Sequence, residues 1–238
     1  MTKIQALTDR TLAKNTAWNL AGMLAPVPVA LISIPLLVKG LGLERFGLLT
    51  IAWAVLGYVS LFDLGIGRAL TQLLAERLGS GREEDAPPLI WTSLALLGAL
   101  GAFGGAVIAL LAGWLVRDVL KVAPGLEAET LFSMRLLALS VPLVTITAGL
   151  RGVLEAKQRF VAVNLIRVPM GVFMLAGPLA VLPFTQRLDS VIAVLVAGRF
   201  AFLVAHAVLC VRALPALAAG PAIDAAQIPP LLRFGSWM

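Results

Sequence analysis

The sequence predicts an all-α integral membrane protein, a six-helix transmembrane bundle with the start of a seventh helix at its end. Three observations predict it. Of the 238 residues, 60% are hydrophobic and 13% charged, with a mean hydropathy of +0.96; a soluble domain has about 45–50% apolar and about 25% charged residues. The apolar residues gather in six runs, each long enough to cross a hydrocarbon core of about 30 Å. The charges fall mostly in the short stretches between those runs.

The same inventory excludes several classes. The formal net charge is +6, but the basic residues stand singly between apolar runs and form no patch, so no nucleic-acid partner is expected. Membrane lipids are the partners such residues meet, through topology and headgroup contact. One cysteine, Cys210, and one histidine, His206, cannot build a disulfide framework or a Cys/His metal centre. No metal or cofactor is expected. Catalytic triads would need His206, which sits in an apolar run, and no phosphate-binding loop of the G-x-x-x-x-G-K-[ST] type occurs. No loop holds acidic residues at catalytic spacing, so an enzyme is not expected.

Residues 1–14, with Lys3, Arg10 and Lys14, read as a cytoplasmic amino-terminal segment. The apolar run that follows is too long for a signal peptide and lacks an Ala-x-Ala exit, so it is expected to stay as the first span, 15–38. On its wheel Asn15, Asn19, Gly22, Pro26 and Ser33 share a side, a small and polar stripe suited to facing other helices. Pro26, Pro28 and Pro35 predict bends.

A polar turn over 40–46 leads to a second span at 47–70, which contains Asp63, Gly65, Gly67 and then Arg68. A carboxylate in a membrane-length run is expensive and usually faces a protein interior or a wet cavity. The two glycines permit close approach of backbone or ligand. The third span, 88–116, is entered by Pro87-Pro88, and its Gly98, Gly101, Gly104 and Gly105 predict a close helix–helix contact. A loop with Pro124-Gly125 precedes span four, 130–150, which carries Arg135 and Pro142. Span five, 162–183, places Asn164, Arg167, Gly171 and Met174 on one face. Span six, 190–211, carries Arg199 well inside and His206 on the same face, seven residues on. A Pro/Ala-rich loop fills 214–230, and 231–238 reads as the start of another helix, so the chain is expected to be incomplete.

Counting Lys and Arg orients the bundle. With the amino terminus inside, twelve fall on the inner segments and six on the outer, Arg199 being left out. The excess predicts a cytoplasmic amino terminus and an even number of crossings before residue 214.

The words Leu41-Gly-x-x-x-Phe-Gly47, Tyr58-x-x-Leu-Phe-Asp-Leu-Gly-Ile-Gly-Arg-Ala-Leu-Thr71 and Ala75-Glu76 resemble the polysaccharide biosynthesis (oligosaccharide flippase) family. That family lies within the multidrug/oligosaccharidyl-lipid/polysaccharide exporter superfamily. The closing Leu232-Arg-Phe-Gly-Ser-Trp237 looks like the opening of its seventh helix. The resemblance implies the amino-terminal lobe of a MATE-like two-lobe transporter, with 214–230 as the inter-lobe loop. Such proteins carry undecaprenyl-diphosphate-linked oligosaccharide from the cytoplasmic to the periplasmic leaflet of the bacterial inner membrane by alternating access. Polysaccharide polymerase and assembly proteins are the protein partners implied. Family members have twelve or more helices, whereas these residues end at the seventh.

A lipid-linked diphosphate needs a cationic, wet site, and arginine suits it because its planar fork meets phosphate oxygens in bidentate fashion. Arg199 is the first candidate, since it lies far from both ends of its span and snorkels least easily; the alternative is a structural ion pair or interface anchor. Arg167 with Asn164 is next, with snorkelling to the cytoplasmic headgroups as the alternative, and Arg68 is a third. Arg135 and Arg151 read as topology residues at span ends. Asp63 is expected to pair with an arginine from another span or to carry a coupling ion, and His206 either to pack or to titrate. Gly65, Gly67, Pro26 and Pro142 are expected to serve packing and bending. Two other readings stay open: a cation-coupled drug exporter of the same superfamily, which would want an anionic cavity, and a non-transporting subunit of a glycan assembly complex.

Overall fold

Residues 26–58 and 63–235 are described by the computed structural model. The helices are α1 (Pro26–Leu41), α2 (Leu43–Tyr58), α3 (Ile66–Gly79), α4 (Ala86–Trp114), α5 (Pro124–Ala156), α6 (Phe160–Ala176), α7 (Leu188–Ala213) and α8 (Ile228–Gly235). α4 runs on through a wide π-helical turn, Leu115–Val119, and α6 through a tight 3₁₀ turn, Gly177–Ala180. Four helical stretches among the described residues are long and apolar enough to cross a bilayer: Glu83–Val119, Pro124–Ala156, Phe160–Ala180 and Leu188–Ala213. The chain is a multi-pass membrane protein. Asn15, Asn19 and Gly22 of the first span lie outside the described residues; Ser33 of the same stripe is buried.

The α4–α5 seam shows why its glycines are there. A side chain on Gly101 would come within 2.6 Å of the Pro142 Cα, and one on Gly105 within 2.5 Å of the Ala138 carbonyl oxygen. Gly98 faces Ile146 across the same seam. Without a hydrophobic drive between helices in lipid, this close approach gains its energy from packing and interhelical hydrogen bonds. Thr145 supplies one, its hydroxyl donating to the Leu97 carbonyl at 2.8 Å. α3 closes on α5 in the same way, since a side chain on Gly152 would meet the Gly67 carbonyl oxygen at 3.2 Å. Pro26 packs on α6, 3.0 Å from the position a Gly171 side chain would take.

Three expectations change. The second span is not one helix over 47–70: α2 ends at Tyr58 and α3 starts at Ile66, with a turn at 63–65 before it. Leu64 and Gly65 hold φ of 47° and 75°, left-handed values that no α-helix continues through, and the Gly65 amide donates to the Asp63 carboxylate at 2.8 Å. Pro124-Gly125 is not a loop but the first turn of α5, with Pro124 where its missing N–H costs nothing. Glu129 is therefore a helical residue. The final helix starts at Ile228, with Pro229-Pro230 in its first turn, rather than at 231.

Two apolar cores are stacked along the bundle. One joins α3, the first half of α4, the end of α5 and Cys210 of α7 to Leu214, Leu217 and Leu231. The other joins α1 and α2 to the end of α4 (Ala112, Val116), the start of α5 (Met134, Leu137) and the start of α7 (Leu188 to Leu195). α5 and α7 pass through both.

The ends are polar, as the crossing count requires. At one end Arg45 of α2 grips Glu129 of α5 through two bonds, Nε–Oε1 at 2.9 Å and Nη2–Oε2 at 3.1 Å, and Glu129 also accepts from the Leu188 amide at the start of α7. At the other end Lys157 meets Glu83 at 2.6 Å, and Arg77 donates to the Gln227 side chain at 2.5 Å. Each contact joins segments that the parity of crossings places on one side.

Candidate functional site

α5, α6 and α7 leave a cavity of about 130 Å³ lined by Asp63, Val144, Thr145, Thr147, Ala148, Arg151, Arg167, Met170, Arg199 and His206. α5 delivers Val144, Thr145, Ala148 and Arg151 at steps of one, three and three, which is one helical stripe. α7 delivers Arg199 and His206, seven residues apart on one face, and α6 delivers Arg167 and Met170 one turn apart. The turn before α3 adds Asp63 to the lining. Apolar residues dominate the rest of these helices, so the polar lining is confined to a short stretch of each.

The electrostatics of the cavity are lopsided. Three arginines and one aspartate are in the lining, Arg151 and Arg167 exposed, and His206 adds a ring that is 2% exposed. Arg199 is the most deeply set of the three arginines: its Nε is buried and has no hydrogen-bond partner among the described residues. An enclosed guanidinium with an unsatisfied N–H is costly, by about 1–3 kcal/mol for the missing bond alone, and an acceptor entering the cavity would offset that cost. Arg151 leans on Glu155 one turn away at 3.4 Å, an exposed pair that holds it loosely. Asp63 makes no ion pair within 4 Å among the described residues; its carboxylate is held by the Gly65 amide instead. His206 uses Nδ1 as donor to the Phe202 carbonyl at 2.8 Å, which leaves Nε2 as the other ring nitrogen in this tautomer.

Of the residues singled out from the sequence, Arg199, Arg167, Asp63 and His206 come together here. Arg68 does not: it is exposed on α3, away from the cavity. Asn164, one turn before Arg167, is half-buried on α6 but is absent from the lining. Gly67 lies under Asp63, where a side chain would stand 3.2 Å from Oδ2, so its bareness lets the carboxylate settle over the first turn of α3. Pro142 sits one turn before the lining residue Thr145 and packs against Gly101. Arg151 joins the site although it reads as a topology residue; the stripe of Val144, Thr145 and Ala148 leading to it was the available signal. Arg135 is exposed and apart from the cavity.

The arrangement suits an anion with several oxygens. Arginines from α5, α6 and α7 line one space, while the Thr145 and Thr147 hydroxyls donate to the Leu97 and Leu143 carbonyls. Among the described residues no group of His, Cys, Asp or Glu could hold a metal ion.

Comparison with known proteins agrees with this membrane architecture. A protein of Shigella flexneri named "Putative O-antigen transporter" is 30% identical over 155 residues, 65% of this chain. The matched region spans 36% of that relative's length. No solved structure matches the chain. The family described as Polysaccharide biosynthesis protein matches residues 12–238. That match covers nearly the whole sequence, and the chain belongs to the polysaccharide biosynthesis protein family.

Proposed function

We propose that the chain forms a substrate-binding lobe of a flippase that moves undecaprenyl-diphosphate-linked oligosaccharide across the bacterial inner membrane, with its amino terminus in the cytoplasm. The observation that carries the reading is the convergence of Arg151, Arg167 and Arg199 on one cavity, with the Arg199 Nε buried and unpartnered among the described residues. A diphosphate presents the multiple anionic oxygens that three planar forks can grip in the wet interior of a bundle. The family match and the relative named as a transporter support the same direction. Three cations against one carboxylate disfavour a cationic drug as cargo.

In this reading the phosphates dock against α5, α6 and α7 while the isoprenoid tail stays in lipid. The deep placement of Arg199 makes it the residue whose loss leaves the largest gap. Replacing Arg199 with Ala in cells that depend on this gene is expected to lower glycan export at unchanged protein level. Lysine there keeps the charge but not the fork, and is expected to restore export only in part. Unchanged export in the alanine variant would remove the cavity from transport.

A further inference from the structure

We infer that Asp63 is the sugar-reading residue of the cavity, the carboxylate that accepts hydroxyl hydrogen bonds from the first sugar attached to the diphosphate. The inference rests on the diphosphate reading above and extends it to specificity.

Asp63 stands in a cavity whose other charged members are all cations, yet it meets none of them within 4 Å among the described residues. A carboxylate that served only to balance charge would close on an arginine, because a charge-assisted fork is the strongest contact available to it. Instead the turn before α3 fixes it: Oδ1 accepts from the Gly65 amide at 2.8 Å, and the bare Gly67 leaves room below Oδ2. The left-handed φ of 75° at Gly65 keeps this turn in shape. Asp63 is thus held in the cavity lining by backbone, with acceptor capacity left over.

What can use that capacity follows from charge. A carboxylate repels phosphate, so it cannot touch the diphosphate that the arginines hold. The neighbouring part of a glycosylated diphosphate is a sugar ring, neutral and rich in hydroxyl donors. Hydrogen bonds from hydroxyls to a fixed carboxylate are charge-assisted, and a site built around them discriminates strongly against ligands that lack the donor. Arginines and a carboxylate that line one cavity without pairing therefore offer separate partners to the two adjoining parts of the ligand, phosphate and sugar.

The test compares two soluble probes on the purified protein in nanodiscs, farnesyl diphosphate and farnesyl diphosphate bearing one glucose. Wild type is expected to bind the glucosylated probe about tenfold to a hundredfold more tightly, the range for hydrogen bonds to a charged group. Asp63→Asn keeps the shape and the bond from Gly65, and is expected to lose most of that preference while binding the bare diphosphate more tightly, a negative charge having gone. Asp63→Ala is expected to follow the same pattern. A wild-type protein without sugar preference, or an Asn variant that keeps it, would overturn the assignment. So would equal weakening of both probes, the mark of a structural or ion-coupling role. If wild type binds neither probe, the diphosphate reading itself fails, a result distinct from all of these.

Discussion

Arg199 and His206 lie seven residues apart on α7 and line the same cavity, the one half-buried with an Nε that has no hydrogen-bond partner among the described residues and the other 2% exposed. Two helical turns bring them onto one face, and the neighbouring helices supply Arg151, Arg167 and Asp63. On α7 Arg199 lies between the residues given to the two cores, Leu188 to Val196 and Leu203 to Ala213, whereas Arg151 and His206 interrupt the apolar stretches themselves.

The Arg45–Glu129 fork ties α2 to α5 and, through the Leu188 amide, to α7. Glu129 is 9% exposed and Arg45 29%, so solvent screens the pair only in part. Replacing Glu129 with Ala strands a guanidinium and an amide together. The expected loss is about 1–3 kcal/mol, below the roughly 3–5 kcal/mol of a fully buried pair. Thermal unfolding in detergent measures it, and a double change with Arg45→Ala is expected to cost less than the sum of the two singles. Strict additivity would mean the fork carries no coupling.

Gly101 and Pro142 set the spacing of α4 and α5. A methyl at Gly101 would stand 2.6 Å from backbone, which cannot move aside as a side-chain tip can. Gly101→Ala is expected to destabilise by about 1–3 kcal/mol through overpacking, whereas Gly113→Ala, which meets nothing within 4 Å, is expected to be neutral or slightly stabilising. Equal melting temperatures for the two variants would contradict the packing.

Much of this was legible in the sequence, for reasons tied to particular residues. The apolar runs marked the helices because lipid leaves backbone groups nothing else to bond. The Gly98–Gly105 stripe marked the α4–α5 seam, and the spacing of Arg199 and His206 put them on one face. Three features were hidden. The break at Asp63 follows from a left-handed Leu64 and Gly65, which hydropathy does not register. Arg151 looked like an ordinary end charge because its position depends on how far α5 extends, to Ala156. The Glu129 fork joins residues 84 and 59 positions apart, and no local pattern announces such a pair.

The joint before α8 should respond to acid. Asp224 accepts from the Gln227 side chain at 2.7 Å and the Ala226 amide at 3.0 Å, and Arg77 lies nearby, so its carboxyl is held below the usual range, the Gln227 bond contributing most. A depressed carboxyl pKa stabilises the folded joint above the ordinary aspartate range, near 4. That stabilisation disappears as pH falls through the lower folded value. The protection factors of α8 amides, exchange rates taken relative to the intrinsic rate at each pH, are therefore expected to be constant between about pH 7 and 5 and to fall below about pH 4. In Asp224→Asn the acid-induced step should shrink; an unaltered step would place its origin in another group.

Gly65 carries the turn that positions Asp63. An L side chain at φ 75° costs about 1–2 kcal/mol, so Gly65→Ala is expected to lower stability by that order and to disturb the carboxylate. Gly67→Ala adds a methyl 3.2 Å from Oδ2 in regular helix and is expected to leave stability nearly unchanged while shifting the same group. Melting curves separate the two, and identical curves would place the strain elsewhere.

The most direct measurement is a titration of the purified protein with farnesyl diphosphate, comparing wild type with Arg199→Gln. A guanidinium that grips phosphate contributes about 1.5–3 kcal/mol, so the variant is expected to bind roughly ten to a hundred and fifty times more weakly, with farnesol bound poorly by both. Equal affinity of wild type and variant for the diphosphate would contradict the claim that this cavity holds it.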